Sequence, residues 1–147
     1  MKATLKEGIE TTRRIIVDDE RAISFLSSGE TTPDSAAAAG RVYATPAMIK
    51  DIEHTCRDFL LEHLDDGEDS LGTAVDIQHL APTLLGMWAD VKVKIAGVNG
   101  KAVSFEVTVG DAVDEVVGRG RHDRYVIEVD KVKQRLADKA AKAAEAS

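Results

Sequence analysis

Residues Thr45 to Leu64 read TPAMIKDIEHTCRDFLLEHL, and this stretch decides the fold. Wound at about 100° per residue, it places Thr45, Met48, Ile49, Ile52, Cys56, Phe59, Leu60 and His63 on one arc. Lys50, Asp51, His54, Arg57, Asp58 and Glu62 fall on the opposite arc. Thr45 is a residue type that caps helices, and Pro46 suits a first turn that needs no N–H donor. The run Asp65-Asp66-Gly67 then stops the helix. A helix with so wide an apolar arc needs a sheet to cover it. Only Glu53 breaks the partition, lying between Ile49 and Leu60 at the apolar arc.

Downstream of the helix the period changes from helical to two. Leu71, Thr73, Val75, Ile77 and His79 alternate with Gly72, Ala74, Asp76 and Gln78, predicting a strand from Ser70 to Ala81 that Pro82 ends. From Met87 to Ala96 a second strand sets Ala89, Val91, Val93 and Ile95 against Trp88, Asp90, Lys92 and Lys94. Asn99-Gly100 is a hairpin signal, and the returning strand carries Val103, Phe105, Val107 and Val109 on one face. After Gly110-Asp111, VVGRGRHDRYVIEV supplies a last strand to Val129. Upstream, Ile9 to Val17 (IETTRRIIV) is rich in β-branched residues, and Arg13 and Arg14 suit a sheet edge.

The expected class is therefore α+β, a helix packed on an antiparallel sheet. Such a sheet curved around one long central helix is the hotdog fold. Residues 1–130 are expected to form that single domain, with 18–40 as a loop or lid. Residues 131–147 are expected to form a surface helix or frayed tail.

The chain has 147 residues, 19 Lys+Arg against 26 Asp+Glu, and a net charge of −7. That balance works against a nucleic-acid partner, which needs a basic face, and against docking on an anionic membrane. With 44% hydrophobic but only 4% aromatic residues, Val, Ile, Leu and Ala must fill the core. A single cysteine, Cys56, forbids an internal disulfide and suits a reducing compartment. It reads as a small buried hydrophobe rather than a nucleophile. The histidines lack metal-ligand spacing, so no metal is expected. The first residues hold no signal peptide and no stretch is long enough to span a bilayer, so a cytoplasmic location is expected.

Two polar residues interrupt apolar patterns: Glu53 on the helix, and His79 on the strand face of Val75 and Ile77. Facing one interior, a His–Glu pair serves as a general base and its orienter, or as a satisfied structural pair. Thr45 either caps the helix or lines an end where backbone donors favour an anion. His122, Arg119, Arg121 and Arg124 form a basic cluster that reads as a solvated strand face.

Three motifs resemble the fluoroacetyl-CoA thioesterase family of single-hotdog proteins. They are VYATPAMIKDIEHTC (42–56), DDGEDSLGTAVDIQHLAP (65–82) and VGRGRHDRYVIEVDK (117–131). The resemblance implies hydrolysis of an acyl-CoA thioester by a homodimer, with a catalytic trio at Thr45, Glu53 and His79. It implies substrate-binding roles for Gly72 and Arg124, and no cofactor beyond the CoA of the substrate. Where the fluoroacetyl-specific enzyme carries lid aromatics, residues 31–43 (TTPDSAAAAGRVY) offer only Tyr43, so a broader or different acyl group is expected. The competing readings are a non-catalytic hotdog module that binds an acyl-CoA, and a hydratase acting on the acyl chain.

Overall fold

The computed structural model describes residues 1–24 and 40–146. Its strands are β1 (Glu10–Ile16), β2 (Ala22–Ser24), β3 (Arg41–Tyr43), β4 (Glu68–His79), β5 (Trp88–Asn99), β6 (Ala102–Asp111) and β7 (Gly118–Glu128). The helices are α1 (Thr45–Leu61) and α2 (Val129–Ala146). Five strands form one antiparallel sheet in the order β1-β5-β6-β7-β4, and β2 pairs with β3. The sheet packed on α1 is the hotdog arrangement expected from the sequence. The β2–β3 pair falls inside the stretch read as a loop or lid, whose residues 25–39 lie outside the described residues.

The core follows the periodicities. Met48, Ile52, Cys56, Phe59 and Leu60 of α1 are buried against Val91, Val93 and Ile95 of β5 and Val103, Phe105, Val107 and Val109 of β6. The β5–β6 hairpin turns through Gly100-Lys101, where Gly100 has φ +62°. Such a left-handed first turn residue suits glycine and matches the twist of the strands.

Two long-range features depart from a simple meander. β4 does not pair with β5; residues 80–87 cross over, and β4 lies beside β7 at the edge. The register between them shifts between Gly72 and Ala74, leaving Thr73 as a bulge. Directly paired residues share a face. Gly72 therefore shares the face of Arg124, and Val75, Ile77 and His79 share the face of His122, Gly120 and Gly118. Strict alternation puts Gly72 and His79 on opposite faces. The bulge brings them to one. The two strands also approach closely: a Cβ on Gly120 would lie 1.9 Å from the Asp76 carbonyl oxygen.

The polar arc of α1 is not wholly solvated. Asp51 is buried, accepting hydrogen bonds from Arg21 Nε (2.9 Å) and Nη2 (3.1 Å) and from the Tyr43 hydroxyl. The β2–β3 pair, with the turn before it, covers this side of the helix.

α2 buries no residue fully. No described helix is long and apolar enough to cross a membrane.

Candidate active site

Thr45 does not cap α1. Ala44 occupies the cap in an extended conformation with no side-chain hydrogen bond, and Thr45 is the first helical residue. Pro46 follows in the first turn, where its missing donor costs nothing. The Thr45 hydroxyl is thus available to another partner, and it lies 2.7 Å from His79 Nδ1 at the end of β4. The other ring nitrogen, Nε2, is buried without a hydrogen-bond partner among the described residues. A buried polar atom left unpaired is costly unless a ligand satisfies it. Burial lowers the His79 pKa from its ordinary 6.5, and the neighbouring Ala81 backbone offsets this only in part. The imidazole is therefore neutral at neutral pH.

Tyr43 packs edge-on against that ring, with centroids 6.3 Å apart. It is 1% exposed, and its hydroxyl is committed to Asp51. The one aromatic of residues 31–43 is thus a buttress for His79.

Glu53 lies about two turns along α1 from Thr45, and no hydrogen bond joins it to Thr45 or His79. It faces Gly72 instead. A Cβ on Gly72 would lie 3.7 Å from Glu53 Oε2, 3.5 Å from Arg124 Nη1 and 3.2 Å from His122 Cε1. Glycine leaves a hollow there between a carboxylate and a guanidinium. Beyond it opens a pocket of about 420 Å³ bounded by Glu53, Arg124, Leu71, Ile127, Val132 and Leu136. The last two lie on α2, so the C-terminal helix supplies an apolar wall. A larger hollow of about 860 Å³, lined by Asp76, Gln78, Arg119 and Arg121, opens on the other face of the sheet. It holds none of these groups.

The basic cluster of β7 splits by strand parity. Arg119 and Arg121 are exposed, whereas His122 and Arg124 are 1% and 4% exposed. The solvated face expected for all four residues is corrected for these two, because paired strands and α1 cover the inner side. Arg124 donates from Nε to Ser70 Oγ (2.7 Å) and from Nη2 to the Ser70 carbonyl (2.8 Å). Its Nη1 is 3.1 Å from His122 Nε2. Among the described residues no carboxylate forms an ion pair with it. Burial lowers its pKa, while Cys56, Glu53 and Asp69 pull the other way. A guanidinium nonetheless stays charged in proteins. The result is a fixed, unneutralised positive charge beside the hollow at Gly72.

Cys56 is fully buried, and burial pushes its thiol up to about 12, which makes it an inert core residue. His54 is exposed, and His63 bonds Thr4 at the far end of α1.

The pattern of the fluoroacetyl-CoA-specific thioesterase family matches residues 27–130. The chain belongs to this family. The fluoroacetyl-CoA thioesterase of Streptantibioticus cattleyicolor is 31% identical over 141 residues, 95% of this chain and 97% of that one. A solved structure of fluoroacetyl-CoA thioesterase superposes with a TM-score of 0.76 at 30% identity, covering 92% of this chain and 97% of that one. A Thermus thermophilus hypothetical protein of the thioesterase superfamily gives a TM-score of 0.79 at 28% identity, covering 99% of both. The present thioesterase is accordingly a hotdog-fold thioester hydrolase. Its fold brings Thr45 to His79, and brings Glu53, Gly72 and Arg124 to one hollow. The sequence reading missed Ser70, His122 and the Tyr43–Asp51–Arg21 cluster. Shared parity with Arg124 and Gly72 was a usable signal for His122 and Ser70. Nothing local marked Asp51.

Proposed function

We propose that this thioesterase hydrolyses an acyl-CoA to a carboxylic acid and CoA, with Thr45, Glu53 and His79 as its catalytic residues. The observation that carries this reading is the Thr45–His79 contact, made by a hydroxyl released from capping to a neutral ring whose second nitrogen has no partner among the described residues. Attack of water on the thioester carbonyl needs a base, and Glu53 takes that proton. Charge then develops on the carbonyl oxygen beside the first turn of α1, whose free backbone donors favour an anion. With Nδ1 accepting from the Thr45 hydroxyl, His79 holds its proton on Nε2 and offers it as a hydrogen bond. A neutral imidazole suits that electrophilic role. The C–S bond breaks, the thiolate leaves, and the proton held by Glu53 passes to the sulfur. Gly72 leaves room for the acyl group, and Arg124 supplies the positive charge that holds the carboxylate product in reach.

The apolar wall from Ile127, Val132 and Leu136 favours an apolar acyl group over a charged one. The test is a panel of acyl-CoAs, short to long and including aromatic ones, followed by release of free thiol. Release above a Glu53→Gln control is expected for at least one apolar member. A folded protein that releases no thiol from any member refutes the assignment.

The reading includes a homodimer. β4 is a twelve-residue edge strand on which Leu71 and Val75 are 50% and 41% exposed, an open template for a second copy. By contrast, Arg13 and Arg14 keep the β1 edge charged. Sedimentation is expected to give a dimer, and Val75→Lys is expected to shift it toward monomer with loss of activity. A monomeric wild-type protein with full activity overturns this part.

A further inference from the structure

We infer that His122 is a positioning residue that fixes both the bulge of β4 and the orientation of Arg124, and does so only as a neutral ring protonated on Nδ1. The argument rests on two contacts with opposite demands. Nδ1 is 2.8 Å from the Ala74 carbonyl oxygen, which only accepts, so Nδ1 carries the hydrogen. Nε2 is 3.1 Å from Arg124 Nη1, which only donates, so Nε2 presents its lone pair. The Arg124 contact excludes the imidazolium, and either contact excludes the other neutral tautomer. The ring is 1% exposed, and among the described residues these two contacts are its hydrogen bonds.

The location gives the geometry its purpose. Ala74 is the first residue paired after the bulged Thr73, the irregularity that turns Gly72 and His79 to one face. Arg124 Nη1 is the guanidinium nitrogen nearest the hollow at Gly72. His122 therefore ties the backbone that sets the parity of β4 to the cation that faces Glu53. The charged and titratable groups around the ring are Arg124 and Asp123 on β7 and Glu53 on α1. Burial is the main cause holding its pKa below the ordinary 6.5, with the Arg124 charge acting in the same direction; the bond to Ala74, Glu53 and Asp123 oppose them. Protonation would set an N–H⁺ against a guanidinium and remove the acceptor that holds Nη1.

This role rests on the thioesterase reading, but its first test does not. Nitrogen-15 NMR of the wild-type protein at neutral pH is expected to show His122 neutral with its proton on Nδ1. A ring protonated on Nε2, or charged at pH 7, overturns the inference whatever the enzyme hydrolyses. In turnover, His122→Leu is expected to lower kcat by about 10–100-fold, the range seen when partners that orient a functional group are removed, with KM little changed. His122→Gln keeps an acceptor for Arg124 and is expected to recover much of that loss. On an Arg124→Ala background, His122→Leu is expected to cost less than it does in the wild type, keeping only the part owed to the β4 bulge, since residues acting as one unit are not additive. Equal losses in the Gln and Leu variants, or losses that multiply with Arg124→Ala, overturn the inference.

Discussion

Exchange of Glu53 for Gln is expected to lower kcat by about 10²–10⁴-fold, the usual scale for removing a positioned general base. The amide keeps the shape of the carboxylate against Gly72 but cannot take a proton from water. Because Glu53 accepts no hydrogen bond among the described residues, the thermal midpoint is expected to hold. Thiol release with the preferred acyl-CoA checks the first expectation, and a melting curve the second. A Gln variant with full activity removes Glu53 from the mechanism. One turnover in ¹⁸O-labelled water then tests how the carboxylate acts. As a base, Glu53 leaves the label in the first molecule of product; as a nucleophile whose anhydride is opened by water at the Glu53 carbonyl, it donates its own unlabelled oxygen first.

Loss of the His79 ring in a His79→Ala variant is expected to cost a comparable factor, about 10²–10⁴ in kcat. It removes the only partner of the Thr45 hydroxyl among the described residues and the nitrogen reserved for the substrate. Thr45→Ser retains the hydroxyl and is expected to lose far less than Thr45→Val. The wild-type enzyme should keep its activity as pH falls to 6.5 and lose it below, because burial depresses the His79 pKa and the neutral ring persists. Stability follows the same sign. For His79 and His122, both depressed by burial, the unfolded chain takes up protons first. Their contribution is complete above about pH 6.5 and is lost progressively as pH falls toward the folded values. Thermal midpoints and kcat/KM measured from about pH 8 down to about pH 5 check both signs. An activity limb centred above 6.5 would contradict a half-buried, neutral His79.

Most of the fold was legible because the periodicities reported true environments. Met48, Ile52, Cys56, Phe59 and Leu60 of the apolar arc of α1 and the alternating faces of β5 and β6 are buried as read, since these residues meet one continuous neighbour. Glu53 and His79 were visible for the converse reason: a polar residue in an apolar pattern marks a place where packing has been set aside for another purpose.

By itself the sequence determined one long amphipathic helix, an antiparallel sheet to cover it, and the two polar residues that interrupt their apolar faces. Only the tertiary structure decided how those residues meet the others. Alternation along β4 assumed an unbroken strand, and pairing with β7 inserts a bulge at Thr73 that reverses parity between Gly72 and His79. The helix wheel placed Asp51 in water, and a two-stranded pair folded over from outside the helix buries it with Tyr43 and Arg21. Thr45 had the chemistry of a cap, and the fold spends its hydroxyl on a histidine thirty-four residues away. Periodicity senses neighbours a few residues apart. Register, cover and long-range hydrogen bonds are set by segments far along the chain, and it is these that assemble the candidate site.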